Sequence, residues 1–465
     1  MSTTLSRSTL DTLAPEHRPL ADPRDLEAKV VHFGLGAFHR AHQAVYTEAA
    51  GQPWGIAAVA PRSPWPVEAL RAQDCLFSVA DRGPAGGIRV VGSIVEALEM
   101  VPDAGRVDAL LTSPEVTVVT LTVTEKGYFR DPRTGRLDTT DPAIAADLAG
   151  APPRTVIGRL TTSLESRFRT SGAPVNVVSC DNAAGNGAAL KTVLTGFAAA
   201  ARRPEAFLRW LDESVAFPST VVDRIVPAVT GADREAAATA LGVRDEMTVA
   251  GEPYRQWVIE DSFAASRPRW EADGALLVPD VAPHQLMKLR LLNGAHSAMA
   301  YLGLAAGCRT VADVLATGWG EALVRGFTAE VAPTLPDSDL DVPAYVNALV
   351  ERFANPAIGH ELRQIGSDGS LKIAERWLPV LRERGGTGPV LALALAAWAH
   401  ATRRPHGTTD PAAAELAACW DAPGDRTALA RLLTTVGGAD LAEDPAVVAA
   451  IADNLPAVRA GRVTL

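Results

Sequence analysis

The feature that most limits what this chain can fold into is a short apolar strand running into a glycine turn and then a helix. Val30-Val31-His32-Phe33 leads into Gly34-Leu35-Gly36-Ala37-Phe38-His39-Arg40, and helix-forming residues continue to Ala50. Strand, glycine turn and helix in that order is the context in which an α/β fold holds a dinucleotide. Gly34 permits the tight turn, and Gly36 lets the backbone approach a pyrophosphate at the helix N-terminus. Phe38 and Arg40, next on that helix, are further candidate cofactor contacts. His39 replaces the third glycine of the usual pattern. The motif alone is therefore weak and gains its weight from its position after a strand near the N-terminus.

The chain beyond it repeats the theme. A second strand, Gly55–Ala60, should end beside a ribose, where an NAD site normally carries an acid. Here Pro61-Arg62-Ser63 follows. Arg62 could receive a 2′-phosphate, so NADP stays open beside NAD. Further strands are expected at 76–79, 88–91 and 116–123. The last ends in Thr124-Glu125-Lys126-Gly127-Tyr128, where the C-terminal edge of a parallel sheet would meet a cofactor. Val175–Ser179 stops at Cys180-Asp181-Asn182, with Asn186 four residues on. Asn182 and Asn186 are candidate amides at the same edge, and turn formation explains either one equally well. Asp223-Arg224 reads as a surface ion pair, the commoner case. From Pro283 onward the periodicity is mostly helical. The expectation is an α/β chain: a loosely attached arm over 1–27, a Rossmann-type domain over 28–280 and a mostly α-helical domain over 281–465. Within the helical part, Arg363 to Lys372 is polar and contains glycine, which suits either a loop that lids a cleft or a plain helix connection.

Composition narrows the function classes. A net charge of −10 without a basic block argues against nucleic acid. The four cysteines are scattered, forming neither a CxxC pair nor a disulfide framework, so a reducing cytoplasm is expected. The longest apolar run near the C-terminus, Val390 to Trp398, is too short to span a membrane and reads as a buried helix. No His, Cys or acid set has zinc-site spacing, and Tyr-x-x-x-Lys, Gly-x-Ser-x-Gly and P-loop motifs are absent. The expected partner is a small-molecule substrate, with the protein a monomer or small homo-oligomer.

One helix carries the chemistry. Of 44 basic residues only five are lysines, and one, Lys288, lies in the apolar run Leu286 to Leu304. Arg serves wherever charge alone is needed; a retained lysine suits a group that must lose a proton, which guanidinium cannot do. At about 100° per residue, Asn293 lies roughly 140° and His296 roughly 80° round from Lys288. The three fan across one side of the helix. A neutral lysine amine could accept the proton of a secondary alcohol, with Asn and His donors holding the developing alkoxide. Lys126 and Lys372 also sit among unusual residues and are weighted above Lys29 and Lys191.

These stretches resemble the long-chain polyol dehydrogenases of the mannitol dehydrogenase family. The matches are GLGAFHRAHQ from Gly34, TLTVTEKGY from Thr120, SCDN from Ser179, VDRI from Val222, QWVIED from Gln256, KLRLLNGAHS from Lys288 and QIGSDGSLK from Gln364, in the family's order. The resemblance implies a metal-independent NAD(P)-linked enzyme with Lys288, Asn293 and His296 as its catalytic set. It also implies an oxyanion asparagine from the SCDN region, with Asn182 and Asn186 both open. Lys372, one of the few lysines, and Arg363 beside the same polar loop are candidate cations for a substrate carboxylate, and Asp223 is a further candidate substrate contact. The segment from Met287, and Gln364 where mannitol 2-dehydrogenases tend to carry arginine, lean toward fructuronate reduction to mannonate. Fructose–mannitol interconversion, or another polyol or mannitol-phosphate dehydrogenase, is the alternative. A dinucleotide-binding sensor without catalysis is the reading from another class, and the intact lysine, asparagine and histidine speak against it.

Overall fold

Six parallel strands build the sheet on which the first part of the chain is organised: β1 (Glu27–Phe33), β2 (Trp54–Ala60), β3 (Ile94–Glu99), β4 (Val118–Leu121), β5 (Val175–Ser179) and β6 (Val215–Ala216). Their spatial order is β3-β2-β1-β4-β5-β6, the doubly wound arrangement of a Rossmann fold, in which the strand order reverses between β1 and β4. Phe33, at the end of β1, pairs with Val59 of β2 and Leu121 of β4. The computed structural model describes residues 3–51, 53–83 and 86–465. The chain forms two compact units, one ending at Val281 and the other running Ala282–Leu465.

Both faces of the sheet are covered, which is why its strands are apolar without alternation. Val31, Phe33, Val119 and Val177 point to one core, shared with Ile157 and Leu160 of α3 (Val156–Thr170) and Leu190 and Val193 of α4 (Asn186–Ala200). Val30, Ile56, Val118 and Val178 point to the other, against α1 (Ala37–Ala41), α2 (Gln43–Ala49), Trp257 and Trp270. Two three-stranded sheets complete the unit. In one, Phe77–Asp81 lies between Ile88–Val91 and Val249–Gly251; in the other, Gln256–Glu260 lies between Thr220–Asp223 and Leu276–Val278.

Two expectations change here, and a third is decided in favour of the helix connection. The N-terminal arm is not loose from Thr3 onward: Leu5, Leu10 and Leu13 are buried with Leu76, Val90, Leu241 and Val243, and the Leu5 N–H donates to the Arg244 carbonyl at 2.8 Å. Its leucines, spaced by polar residues, supply the apolar face that the polar average conceals. Residues 1 and 2 of the arm lie outside the described residues. Arg224 is buried and pairs with Asp81 at 2.5 Å, and Asp223 is buried too, so the expected surface location is wrong. The segment 363–372 is not an open loop: α7 (Leu362–Gly366) and α8 (Gly369–Arg376) flank a sharp break, where Asp368 adopts a left-handed φ of 56°.

The second unit is helical throughout. Its central helix starts as α5 (Ala282–Met287), continues as a π-helical stretch over Lys288–Asn293 and ends as α6 (Gly294–Ala305). α9 (Pro389–Arg403), which contains the apolar run Val390 to Trp398, packs against α6 and α10 (Pro445–Arg459), and Leu391 to Ala401 are buried. Among the described residues no helix is long and apolar enough to cross a membrane.

Candidate active site

In the first unit, the ends of β1, β2 and β4 open onto a cavity of about 270 Å³. Gly34 to Gly36, Ala60 to Ser63, Thr122 to Thr124, Gly127, Phe129 and Arg154 to Val156 line it. Gly34 has φ of 115°, and a Cβ there would sit 2.1 Å from the Thr122 carbonyl oxygen, so only glycine fits. Gly36 differs: a Cβ there would meet only the Gly34 oxygen, at 3.8 Å. Its lack of a side chain leaves room on the cavity side, at the N-terminus of α1, for an incoming anion. His32 braces the turn from beneath. Its Nε2 donates to the Gly34 carbonyl at 3.1 Å, and its Nδ1 meets Thr120 Oγ1 at 2.7 Å. Burial pushes the His32 imidazole down to about 3, so it is neutral and keeps that tautomer.

Arg62 is exposed on the cavity rim and makes no ion pair among the described residues. Arg154, which sequence reasoning missed, lines the same cavity; Thr155 beside it caps α3 by accepting the Gly158 N–H. A threonine opening a helical run was the available signal. Thr124 lines the cavity with a left-handed φ of 65°, and its N–H donates to Asp181 at 2.8 Å. Glu125 and Lys126, expected beside it, are exposed and outside the lining.

Two other expected cofactor contacts are turned elsewhere. Arg40 is buried, donates to the Met247 carbonyl and lies 5.7 Å from the Phe77 ring centroid. Phe38 is half-buried and stacks on His42 at 4.9 Å. Phe38 and Arg40 lie two and four positions after Gly36, and their side chains are taken up by His42 and by the Met247 carbonyl.

The two asparagines after β5 separate cleanly. Asn186 is fully buried; its amide donates to the Asp181 and Thr220 carbonyls at 2.9 and 3.1 Å and accepts the Thr220 N–H at 2.9 Å. That amide is spent on holding the chain together. Asn182 is exposed at the strand's end, and Asp223 is buried at the end of its strand.

In the second unit, Lys288 is buried to 9% exposure at the start of the π-helical stretch, and Asn293 closes it. The Gly294 N–H donates to the Leu289 carbonyl, the i→i−5 bond of a π-turn. Sequence periodicity assumed an α-helix, which sets Asn293 well round the axis from Lys288. The wider turn stacks residues five apart, so Asn293 lies over Lys288, and His296 follows one α-turn on. His296 is buried, with its ring 4.5 Å from Phe353 and 5.2 Å from His360. Burial, with His360, Arg352, Arg376 and Lys372 nearby, holds its pKa well below the usual value. Its Nε2 is buried without a hydrogen-bond partner among the described residues.

Lys372 is half-buried, and its Nζ donates to the Ile365 carbonyl at 3.0 Å; burial and the neighbouring Arg376 lower its pKa. Arg363 is not with it: it is exposed and paired with Glu361 at 2.7 Å. Gln364 is exposed as well. Arg376 and His360 went unnoticed in the sequence, although Arg376 follows Lys372 by four residues and so shares its helix face. Among the described residues no group of three or more His, Cys, Asp or Glu could hold a metal.

A parallel 3-2-1-4-5-6 sheet with a glycine turn under a cavity defines a Rossmann dinucleotide-binding unit, here followed by a helical unit with a buried lysine. The Rossmann domain of mannitol dehydrogenase matches residues 28–272, and the mannitol dehydrogenase C-terminal domain matches 280–459. The chain therefore belongs to the mannitol dehydrogenase family, and is an oxidoreductase. It is 40% identical over 414 residues to the D-mannonate oxidoreductase of Escherichia coli (strain K12), covering 85% of this chain and 84% of that protein. A Pseudomonas fluorescens mannitol 2-dehydrogenase, solved as a ternary complex with NAD and D-mannitol, is 34% identical with a TM-score of 0.80, over 98% of this chain and 97% of that one. A D-sorbitol dehydrogenase in substrate-free form is 27% identical with a TM-score of 0.89, over 99% and 100% of the two chains.

Proposed function

We propose that this protein is a metal-independent, NAD-linked fructuronate reductase, interconverting fructuronate and mannonate. The observation that carries the chemistry is Lys288, buried one π-turn below Asn293, with His296 next along the same helix and held neutral by its surroundings. The turn at Gly34 and Gly36 would hold the cofactor's pyrophosphate, and Arg62 and Arg154 flank the same cavity. NADH, when bound, supplies the hydride. Lys288 as an ammonium gives the proton that the ketone oxygen needs in reduction, and as an amine it takes that proton back in oxidation. Asn293 and His296 donate hydrogen bonds to the oxygen while its charge develops; the family resemblance adds an asparagine from the SCDN region. Asn182 is assigned in preference to Asn186, whose amide is already committed.

The substrate reading rests on Lys372 and on the likeness to a D-mannonate oxidoreductase over most of both chains. A uronate differs from a ketose by a carboxylate, and an ion-paired hydrogen bond is roughly twice as strong as a neutral one. The test is a comparison of kcat/KM for fructuronate and fructose with NADH, before and after dialysis against a strong chelator. Fructuronate should be preferred and the chelator should change nothing. A preference for fructose would replace this reading with mannitol 2-dehydrogenase activity, and zinc-restored activity would end the metal-free mechanism.

A further inference from the structure

Arg376 closes α8 half-buried, and among the described residues no carboxylate lies within ion-pairing distance of it. Nη1 donates to the Asn293 carbonyl at 3.0 Å and to Ser297 Oγ at 2.9 Å, while Nε is buried without a partner. The groups around His296 are basic as well: His360, Arg352, Lys372 and Arg376 itself. Asp368 and Asp410 act on Lys372, but Asp410 is engaged by the N–H and hydroxyl of Ser370, at 2.7 and 2.6 Å. Glu375, adjacent to Arg376 in sequence, is exposed and acts on it through the Coulomb field alone. A guanidinium withdrawn from water with an N–H unsatisfied is costly unless a counter-charge meets it. Its planar fork, already fixed at one edge by Asn293 and Ser297, keeps Nε and Nη2 for a second pairing, the geometry that matches a carboxylate.

We propose that Arg376 is the specificity-determining cation of this enzyme, binding the carboxylate of a sugar-acid substrate with Lys372 one helical turn before it as companion. This deepens the reductase reading above and rests on it for the identity of the substrate. Arg363, the arginine of the expected loop, is exposed and paired with Glu361, whereas Arg376 makes no ion pair among the described residues.

The test uses the full-length enzyme with Arg376→Met and Arg376→Lys. For Arg376→Met, kcat/KM for fructuronate should fall roughly 10- to 100-fold, the range of a lost charged hydrogen bond. The loss should lie mainly in KM, and the fructuronate-to-fructose ratio should fall with it. Arg376→Lys should recover part of that ratio. Equal losses for both substrates, carried by kcat and not recovered by lysine, would show that Arg376 serves only to position Asn293. Calorimetric titration of gluconate into the NADH-loaded enzyme separates this inference from the substrate reading. If the wild type ignores fructuronate yet binds gluconate, and Arg376→Met weakens that binding, the carboxylate site stands and only the named substrate is wrong. If gluconate binds wild type and Arg376→Met alike, or neither, Arg376 reads no carboxylate. Should the methionine variant fail to fold, the lysine and glutamine variants give the same ratio.

Discussion

At the scale of single residues, the decisive distinction is between polar groups that are spent and polar groups that are kept. Asn186 and Asn182 lie four positions apart, yet the first has its amide saturated inside the protein and the second stands exposed at the strand end. Asn186→Ala should therefore cost about 2–4 kcal/mol of stability in chemical unfolding, because it strands several buried partners. Asn182→Ala should cost less stability than Asn186→Ala and lower kcat; an equal unfolding defect in Asn182→Ala with normal turnover would reverse the assignment. Lys288→Ala should lose on the order of 10²–10⁴-fold in kcat while still binding NADH by fluorescence, the range typical of a lost general acid–base group. Lys288→Arg should not restore it, since guanidinium stays protonated. Near-wild-type turnover in either variant would remove Lys288 from the mechanism.

At the scale of elements, two local irregularities organise the unit that each belongs to. One is the turn between β1 and α1. Gly34→Ala forces a Cβ against the Thr122 backbone, so it should disrupt the sheet edge and lower the unfolding midpoint. Gly36→Ala meets no protein atom closer than 3.8 Å and should leave the midpoint alone. If a pyrophosphate lies where that Cβ would project, Gly36→Ala should still weaken NADH binding tenfold or more, measured by direct titration. Unchanged NADH affinity would mean the cofactor does not approach that glycine. The other irregularity is the π-turn over Lys288–Asn293, which stacks the proposed acid–base group under the proposed amide donor.

At the scale of the whole molecule, stability carries a pH signature from the first unit. Glu48 is buried beside the outer face of the sheet, accepts the Gly92 N–H at 2.7 Å, and burial pushes its carboxyl up to about 7. A raised acid pKa penalises folding once the unfolded chain can ionise. Below the ordinary value of 4.5 both states are neutral and no penalty exists. Between 4.5 and about 7 only the unfolded state releases the proton, so stability falls as pH rises; above about 7 the loss is complete and constant. Glu48→Gln should match wild type near pH 4 and exceed it at pH 8 by on the order of 2–3 kcal/mol. Denaturant unfolding at both pH values checks this, and a gain equal at both would refute a titrating Glu48.

The α/β then α order, the dinucleotide turn and the lysine helix were all legible in the sequence, for one physical reason. Each depends on local rules: strand apolarity, a glycine that alone tolerates its φ, and a charged residue inside an apolar helix. What sequence could not decide was where side chains of similar chemistry would point. Arg40, Arg62, Arg363 and Arg376 are alike as letters. Tertiary packing buries Arg40 under Met247, leaves Arg62 on a cavity rim, pairs Arg363 with Glu361 and holds Arg376 beside His296 with no ion pair among the described residues. The π-turn was equally hidden, because periodicity assumes the helix it measures. The sequence by itself thus determined the class of fold and singled out the helix proposed to carry the chemistry. Only the tertiary structure decided which amide is committed inside the protein and which guanidinium makes no ion pair among the described residues, because hydrogen bonds and ion pairs are settled by partners far away along the chain.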